Sequence, residues 1–278
     1  MAQQHGPARA SQADGAPGEL PDLDDSEPLG RLRSVGRVLS RPAIDPGSIL
    51  SAPMAAIAIA GVLLAAAAFA FGFDADVARA VRNEPEGVRA FLDIVTDAAL
   101  IAWYFYPALL LSLVLLFLRP GSLAPGTRAR LFVMSAWFAA SLGAASALTH
   151  AIKYLLGRAR PELLDSHGIA SFEILRLGSA YESFPSGHST NAGVVAIALA
   201  IWFPAMRWPI LLAGACLALT RIVVERHYLS DVIAGFAIGT LTALALARFL
   251  ALRQIVYRVS AGGRGWSGLL PYRSGARL

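Results

Sequence analysis

Long runs of apolar residues, separated by short polar segments, dominate the chain between residues 50 and 250. Each run is close to the ~20 residues that a helix needs to cross the hydrocarbon core of a bilayer. Alanine and glycine are frequent within the runs, as is typical of membrane helices that pack closely together. The pattern therefore predicts an all-α polytopic membrane protein with about six transmembrane helices. The predicted spans are 50–72, 99–118, 131–152, 188–204, 207–225 and 229–250.

Arginines are concentrated in four of the polar segments and predict the orientation of the helices. Cytoplasmic segments of membrane proteins carry an excess of lysine and arginine. With six spans, all four basic segments fall on one side, which we expect to be the cytoplasm, together with both termini. The connections 73–98, 153–187 and 226–228 then lie on the opposite side. The arginines are Arg31, Arg33, Arg37 and Arg41 before the first span, Arg119, Arg128 and Arg130 between the second and third, Arg207 between the fourth and fifth, and Arg253, Arg258, Arg264, Arg273 and Arg277 after the sixth.

Three segments follow from this arrangement. Residues 1–48 are poor in large apolar side chains, which predicts a disordered, basic cytoplasmic segment. Residues 49–252 form the predicted six-helix membrane domain, and residues 253–278 a cytoplasmic tail. Within the connection 73–98, apolar residues recur at helical spacing. This predicts an amphipathic helix at the membrane interface, which either covers a site or simply returns the chain.

Composition supports a membrane protein and argues against a nucleic-acid partner. Hydrophobic residues make up 56% of the 278 residues and charged residues 15%, whereas soluble domains carry roughly 25% charged residues. The net charge of +5 permits nucleic-acid binding, but the arginines flank apolar spans as the positive-inside distribution requires. We therefore expect a multi-pass membrane protein, with the lipid bilayer as its partner.

Three short polar clusters lie on the predicted outer side, each beside an apolar run. The first extends from Lys153 to Pro161 and includes Arg158 and Arg160. Lysine offers a phosphate group a point charge, and arginine offers a planar two-pronged donor. Charged groups at a membrane are costly and are usually functional. The cluster therefore predicts a phosphate site made by Lys153 and Arg160, with Arg158 as the rival of Arg160.

The second cluster, Pro185-Ser186-Gly187-His188, precedes the fourth span. The first backbone N–H groups of a helix bind anions. Ser186 can add its hydroxyl, and Gly187 lets the backbone approach a phosphate oxygen closely. A plain helix N-cap is the alternative interpretation. His188 is suited to protonate a departing lipid oxygen and then to activate water.

The third cluster contains Arg221, His227 and Asp231. His227 and Asp231 are four residues apart, so the carboxylate can accept a hydrogen bond from one ring nitrogen and leave the other free to attack phosphorus. Arg221 supplies a further cation for the phosphate. A structural histidine–aspartate pair is the alternative interpretation, but the position beside an arginine at a membrane edge favours catalysis.

Together the clusters resemble the signature of the type 2 phosphatidic acid phosphatase superfamily, which is Lys-x6-Arg-Pro, Pro-Ser-Gly-His and Ser-Arg-x5-His-x3-Asp. The chain departs from it only at Thr220, which replaces a serine and keeps a hydroxyl. The resemblance implies a six-helix core with the site at the non-cytoplasmic face, and a phosphohistidine mechanism without metal or other cofactor. It implies His227 as nucleophile, Asp231 as its orienting partner and His188 as general acid and base. The implied phosphate ligands are Lys153, Arg160, Ser186, Gly187 and Arg221.

The resemblance implies a membrane lipid phosphatase and leaves its substrate open. Candidate substrates are an isoprenoid diphosphate, phosphatidylglycerol phosphate, phosphatidic acid and a lipid A type glycolipid. The alternative is a phosphotransferase that passes the phosphate to a lipid or sugar acceptor. A silent lipid-binding scaffold would need a broken site, whereas the main motif positions are intact. The superfamily also includes soluble vanadium haloperoxidases; the apolar spans argue against that branch, so we expect vanadate to inhibit.

Overall fold

The computed structural model describes residues 20–23, 27–42, 61, 66–118, 123–176, 178–259 and 269–271, and the fold that these residues form is a bundle of helices. This confirms the predicted all-α class. The helices are α1 (Pro28–Leu39), α2 (Asp74–Val81), α3 (Glu86–Thr96), α4 (Ala102–Phe117), α5 (Pro125–Leu156), α6 (Leu164–His167), α7 (Gly187–Trp202), α8 (Arg207–Val223) and α9 (Leu229–Leu252). Short 3₁₀ turns lie at Asp97–Ala99, Pro161–Leu163, Ser179–Tyr181 and Pro204–Met206, and two strands, β1 (Tyr257–Val259) and β2 (Leu269–Pro271), pair antiparallel.

The long apolar helices confirm that the chain is a polytopic membrane protein. Four segments are long and apolar enough to cross a bilayer, and they correspond to the second, third, fifth and sixth predicted spans. The fourth predicted span corresponds to α7, whose 16 residues extend about 24 Å. The first predicted span lies largely outside the described residues. The four segments are Glu86–Phe117, Gly126–Leu156, Pro204–Val223 and Leu229–Leu252.

Helix α7 lies at the centre of the bundle, against α5, α8 and α9. Its backbone touches that of α9, because a Cβ atom at Gly235 or Gly239 would overlap the backbone of Ser186 or Thr190. On another side, the Thr190 hydroxyl lies 3.0 Å from that of Thr149 on α5. Small residues therefore let the helices approach closely, and this approach fixes the start of α7 against the start of α9.

Helix α1 corrects the expectation that residues 1–48 are disordered. The side chain of Arg31 is buried, and its Nη1 donates hydrogen bonds to the carbonyls of Leu116 (2.5 Å) and Phe117 (3.0 Å) at the end of α4. The last carbonyls of a helix lack intrahelical donors, so a cation there is stabilising. This part of the segment is therefore ordered by a contact with a distant helix. The beginning of the segment lies outside the described residues.

The predicted tail, residues 253–278, also begins inside the fold. Ile255, Val256 and Tyr257 are buried in the main hydrophobic core. The Tyr257 hydroxyl accepts a hydrogen bond of 3.1 Å from the indole nitrogen of Trp202. The packed domain therefore continues beyond the predicted boundary at residue 252.

The connection 73–98, predicted to lie on the outer side, forms two helices, α2 and α3, where the sequence predicts one. Proline has no N–H to continue a helix, and Pro85 stands immediately before α3. Phe91 and Ile94 on α3 are exposed, in keeping with a helix at a membrane interface.

Ion pairs hold this connection against the loops that carry the first and third clusters. Arg82 pairs with Asp165 at 2.5 Å. Arg89 makes a two-pronged pair with Glu225, with N–O distances of 3.1 and 3.3 Å. The connection therefore does more than return the chain, because it is fixed to the loop that precedes the third-cluster histidine.

Candidate active site

The three polar clusters meet at one end of the helix bundle. The backbone N–H of Ser186 donates to the carbonyl of Asp231 at 3.0 Å, which joins the second cluster to the third. The N–H of His227 donates to the carbonyl of Arg221 at 3.3 Å. Arg158 of the first cluster donates to the Asp231 carboxylate at 2.5 Å. Segments far apart in the chain therefore form one layer.

Gly157 ends α5 and turns the chain into this layer. Its φ of 55° is left-handed, and a Cβ atom there would overlap the carbonyl of Glu173. Only glycine adopts this conformation without strain. The turn leads directly to Arg158 and Arg160, so the backbone itself positions both arginines.

The imidazole of His227 is neutral and held by its Nδ1 nitrogen. Nδ1 lies 2.7 Å from the carbonyl oxygen of Ser183 and 3.8 Å from the Asp231 carboxylate. A carbonyl only accepts, so Nδ1 carries the proton and Nε2 keeps its lone pair. Burial lowers the pKa of His227 to about 3; Asp231 opposes this shift, and the charges of Lys153 and Arg221 reinforce it. The direct acceptor is therefore the Ser183 carbonyl, with the carboxylate behind it.

The Asp231 carboxylate is fully buried and accepts hydrogen bonds on both oxygens. Oδ2 accepts from the Ser183 hydroxyl at 2.6 Å and from the N–H of Tyr228 at 2.9 Å. Oδ1 accepts from Nη1 of Arg158 at 2.5 Å. Ser183 therefore contacts both members of the predicted histidine–aspartate pair, through its hydroxyl and its carbonyl.

Arg158, the rival of Arg160 for the phosphate, is fully buried and pairs with two carboxylates. Besides Asp231, it contacts Asp74 on α2 through Nη2 at 2.9 Å. The positive charge of Arg158 is thus already balanced by carboxylates inside the protein. The guanidinium also stacks near the rings of Phe71, Phe172 and Tyr228, at 4.8, 5.7 and 4.3 Å from their centroids.

The other predicted phosphate cations have far weaker acidic partners. Lys153 is buried, and its Nζ donates to the carbonyl of Glu182. Within the described part of the chain, no acceptor bonds the half-buried Arg160 guanidinium. Burial lowers the pKa of Arg160, and the nearby charge of Arg226 acts in the same direction. The surroundings of Arg160 therefore disfavour its charge, and an anion bound beside it would favour that charge.

Arg221 is also buried, and a carboxylate reaches only its edge. Its Nη1 lies 3.5 Å from the hydroxyl of Thr96 and 4.0 Å from the carboxylate of Asp93. The Asp93 side chain is 57% exposed, so water screens this pair. The layer therefore holds an excess of positive charge beside a neutral histidine.

The second cluster forms the start of α7. Ser186 is its buried N-cap, and its hydroxyl oxygen accepts from the N–H (3.4 Å) and the hydroxyl (2.8 Å) of Ser189. The N–H groups of Gly187 and His188 come first in the helix and have no intrahelical acceptor. No described atom lies within 4 Å of where a Cβ of Gly187 would stand. The helix start thus faces open space large enough for an oxygen atom.

The arrangement suits phosphate chemistry at a histidine. Cations and N–H donors can surround the equatorial oxygens of a phosphoryl group, and an imidazole nitrogen with a free lone pair can act as a nucleophile. Among the described residues, no group of three or more His, Cys, Asp or Glu side chains could hold a metal ion. The residues on hand to meet the charge of a phosphate are therefore lysine and arginine.

Three contacts in this layer were missed by the sequence analysis. Asp74 is one of several acids in the outer connection, and nothing in its spacing marks it. Glu182 acts through its backbone carbonyl, which every residue possesses, and Ser183 acts through its carbonyl and its hydroxyl. The only signal was their place in the predicted outer connection, three and four residues before Ser186.

Comparison with known proteins gives matches over this part of the chain. The PAP2 superfamily model matches residues 135–255. The Lipid A 1-phosphatase of Rhizobium johnstonii is 39% identical over 116 residues, which are 42% of this chain and 48% of that protein. The Lipid A 1-phosphatase of Rhizobium etli is 38% identical over 116 residues, covering 42% and 50%. The match thus spans about half the length of these curated relatives.

A solved structure gives a partial match. It is the first transmembrane PAP2 type phosphatidylglycerolphosphate phosphatase from Bacillus subtilis, with a TM-score of 0.45 and 17% sequence identity. The superposition covers 70% of this chain and 94% of that one.

Proposed function

We propose that the protein is a membrane lipid phosphatase of the PAP2 superfamily, whose model matches residues 135–255 of this chain, and that it works through a phosphohistidine. One observation carries the proposal. A neutral histidine with a free Nε2 stands beside the buried cations Lys153 and Arg221, whose described ion pairs with carboxylates amount to one contact of 4.0 Å between Arg221 and the exposed Asp93. This is the arrangement needed to bind a phosphate group and attack it.

In the first half-reaction, Nε2 of His227 attacks phosphorus as the bond from phosphorus to the lipid oxygen breaks. The departing oxygen takes a proton from His188, so the lipid leaves as a neutral alcohol or, from a diphosphate, as the monophosphate. Lys153, Arg160 and Arg221 hold the phosphoryl oxygens, with the N–H of Gly187 and the hydroxyl of Ser186. The positive charge that develops on the imidazole is stabilised by Asp231, 3.8 Å from Nδ1.

In the second half-reaction, His188 accepts a proton from water as the water oxygen attacks phosphorus. The bond between phosphorus and Nε2 breaks, and its electron pair returns to His227. Inorganic phosphate leaves, and His188 is again protonated for the next cycle. Because the charges come from lysine, arginine and histidine, we propose that the reaction needs no metal.

We propose the phosphate of a lipid A type glycolipid as the first substrate to test. Two relatives called Lipid A 1-phosphatase are 38–39% identical to this chain over 116 residues. An isoprenoid diphosphate, phosphatidylglycerol phosphate and phosphatidic acid follow as the other candidates. Comparison of kcat/KM across these four lipids in detergent would rank them, and the glycolipid is expected to be highest.

We propose that the site faces the non-cytoplasmic side of the inner membrane. Arg128 lies near the start of α5 and Lys153 near its end, and Arg207 begins α8 whereas Arg221 lies in its last turn. Arginines at the starts of α5 and α8 indicate that these helix ends lie on the cytoplasmic side. The opposite ends of the two helices, which carry the site, would then lie on the exterior side. A single cysteine placed at exposed Ser166, in a variant with Cys216 replaced by alanine, should react with a membrane-impermeant reagent on intact cells.

The proposal is tested by His227→Ala, with phosphate release from the best lipid as the readout. Removal of the nucleophile should lower kcat by at least about 10³-fold, and wild-type activity should survive EDTA. Full activity of the variant would exclude His227 as nucleophile. Recovery of a phosphorylated acceptor in place of free phosphate would replace the phosphatase by a phosphotransferase.

A further inference from the structure

We propose that Asp74 is a positioning residue of this active site, acting through Arg158 on Asp231 and thereby on the nucleophile. The inference rests on the proposed function, and it adds a residue of α2 to a site otherwise built from the three clusters. Asp74 also lies outside residues 135–255, the region that the superfamily model matches.

The carboxylate of Asp74 is fully buried, and both of its oxygens are engaged. Oδ2 accepts from Nη2 of Arg158 at 2.9 Å and from the hydroxyl of Ser230 at 2.5 Å. Oδ1 accepts from the N–H of Ser230 at 2.9 Å. Every partner belongs to the layer that holds the nucleophile, so Asp74 is tied to the site and not to its own helix.

Asp74 and Asp231 share one guanidinium group. Arg158 offers Nη1 to Asp231 and Nη2 to Asp74, so its single charge faces two carboxylates. Asp231 therefore keeps part of its negative charge for the imidazole. Without the Asp74 charge, Arg158 would act on Asp231 alone, and Nη2 would lose a buried acceptor.

A second path runs through the start of α9. Ser230 directly precedes Asp231, and its N–H is among the first of the helix, which lack intrahelical acceptors. Asp74 caps this group from another helix, which fixes the backbone at Asp231. The Asp231 carboxylate holds Ser183, and the Ser183 carbonyl holds Nδ1 of His227. A shift of Asp231 would therefore turn the imidazole.

The chain offers a matched control on the same helix. Asp76 lies two residues after Asp74, and its side chain is 79% exposed. Its ion-pair partner is Arg79, at 3.8 Å and also exposed. Asp76→Asn removes the same charge from α2 without touching the buried network.

The experiment compares Asp74→Asn with Asp76→Asn in the purified full-length protein, using the lipid phosphate that the wild type hydrolyses best. Asp74→Asn should lower kcat by about 10- to 100-fold, as displaced supporting residues do, with KM within about twofold. Inhibition by inorganic phosphate should stay within about twofold, since the cations are untouched. Inhibition by vanadate, which can take Nε2 as a fifth ligand, should weaken. Asp76→Asn should leave all four quantities within about twofold.

Parallel changes in KM, phosphate inhibition and kcat, or an unchanged kcat, would overturn the inference. If Asp74→Asn does not fold, Asp74→Glu takes its place: the longer side chain keeps the charge but displaces Arg158, so kcat should still fall at constant KM. An unchanged kcat in that variant would equally overturn it. Absence of phosphate release by the wild type would instead count against the proposed function.

Discussion

Arg158 and Arg160 are separated by one residue, yet they lie in opposite electrostatic surroundings. Arg158 is fully buried between the carboxylates of Asp74 and Asp231. Arg160 is half-buried, and within the described residues no acceptor bonds its guanidinium. The same side chain therefore serves two purposes. One arginine completes the support of the site, and the other is available to an anion.

The difference shows how a protein can keep a cation ready for a ligand. A buried charge without a partner is costly, so Arg160 is stabilised once a phosphate arrives. Arg158 already has its partners, so a phosphate would gain little from it and would have to compete with two carboxylates. Substitution of Arg158 should therefore mainly lower stability, and substitution of Arg160 should mainly weaken anion binding.

The largest effect is expected on stability, from Arg158→Met. The substitution would leave two buried carboxylates without their cation, which costs roughly 3–5 kcal/mol of unfolding free energy. Unfolding in mixed detergent micelles, followed by circular dichroism, would measure the loss. Arg160→Met is the matched control and should not lower the unfolding free energy, because it removes a half-buried charge that has no hydrogen-bonded partner among the described residues. Equal losses in both variants would abolish the distinction between the two arginines.

The next effect concerns anion binding, and here Arg160 is the sensitive side chain. Loss of charge-assisted hydrogen bonds costs about 1.5–3 kcal/mol, so Arg160→Met should weaken inhibition by inorganic phosphate about 10- to 100-fold. For Arg160→Lys, the inhibition constant for phosphate should lie between those of Arg160→Met and the wild type. Lysine keeps the positive charge but lacks the two-pronged donor geometry of the guanidinium. The inhibition constant for phosphate, measured against the best lipid, gives the result. A constant unchanged in Arg160→Met would remove Arg160 from the phosphate site.

Short spacings predicted which residues of each cluster lie close together, but they did not predict the acceptor of the His227 ring, which is the Ser183 carbonyl, 44 residues before it, in place of the Asp231 carboxylate. His227 and Asp231 are four residues apart at the start of a helix, and Lys153 and Arg160 flank the glycine turn that ends α5. Spacing alone left Arg158 and Arg160 as rivals. The choice depends on Asp74, which lies 84 residues before Arg158 in the chain. A contact of that kind leaves no periodic signal in the sequence.

The fold shows the same division between local and distant causes. Apolar runs of bilayer length predicted the long helices, since burial in lipid depends on composition and length alone. Order in α1 was missed because it depends on Arg31 and the carbonyls that end α4, 85 residues further along. The core position of Tyr257 was missed for a similar reason: its partner, Trp202, is 55 residues away.

A third prediction concerns the pH dependence of stability and uses His227, the buried histidine next to Asp231. Burial lowers its pKa to about 3, from about 6.5 in an unfolded chain. Between these values the unfolded chain binds the proton and the folded one does not. Stability is therefore complete above pH 6.5 and falls as the pH falls, by up to about 1.4 kcal/mol per pH unit from this group.

The measurement is the unfolding free energy between pH 7 and pH 4.5, for the wild type and for His227→Gln. Buried carboxylates contribute to both curves, so the difference between the curves isolates the histidine. The variant should show the shallower fall. Parallel curves would mean that the imidazole is solvated. His227 would then not belong to the buried network that contains Arg158 and Asp231.

The smallest effect is expected at Asp93, the one carboxylate that forms an ion pair with a predicted phosphate cation among the described residues. It lies 4.0 Å from Nη1 of Arg221 and is 57% exposed, so the pair contributes about 0.2–1 kcal/mol at most. Asp93→Asn should therefore strengthen phosphate inhibition by about 1.4-fold to fivefold, and added salt should reduce the gain. Asp76→Asn, which removes a distant exposed charge, should change it little. Weaker inhibition in Asp93→Asn would show that Asp93 orients Arg221, and Arg221 would then belong with Arg158 among the arginines that depend on a carboxylate.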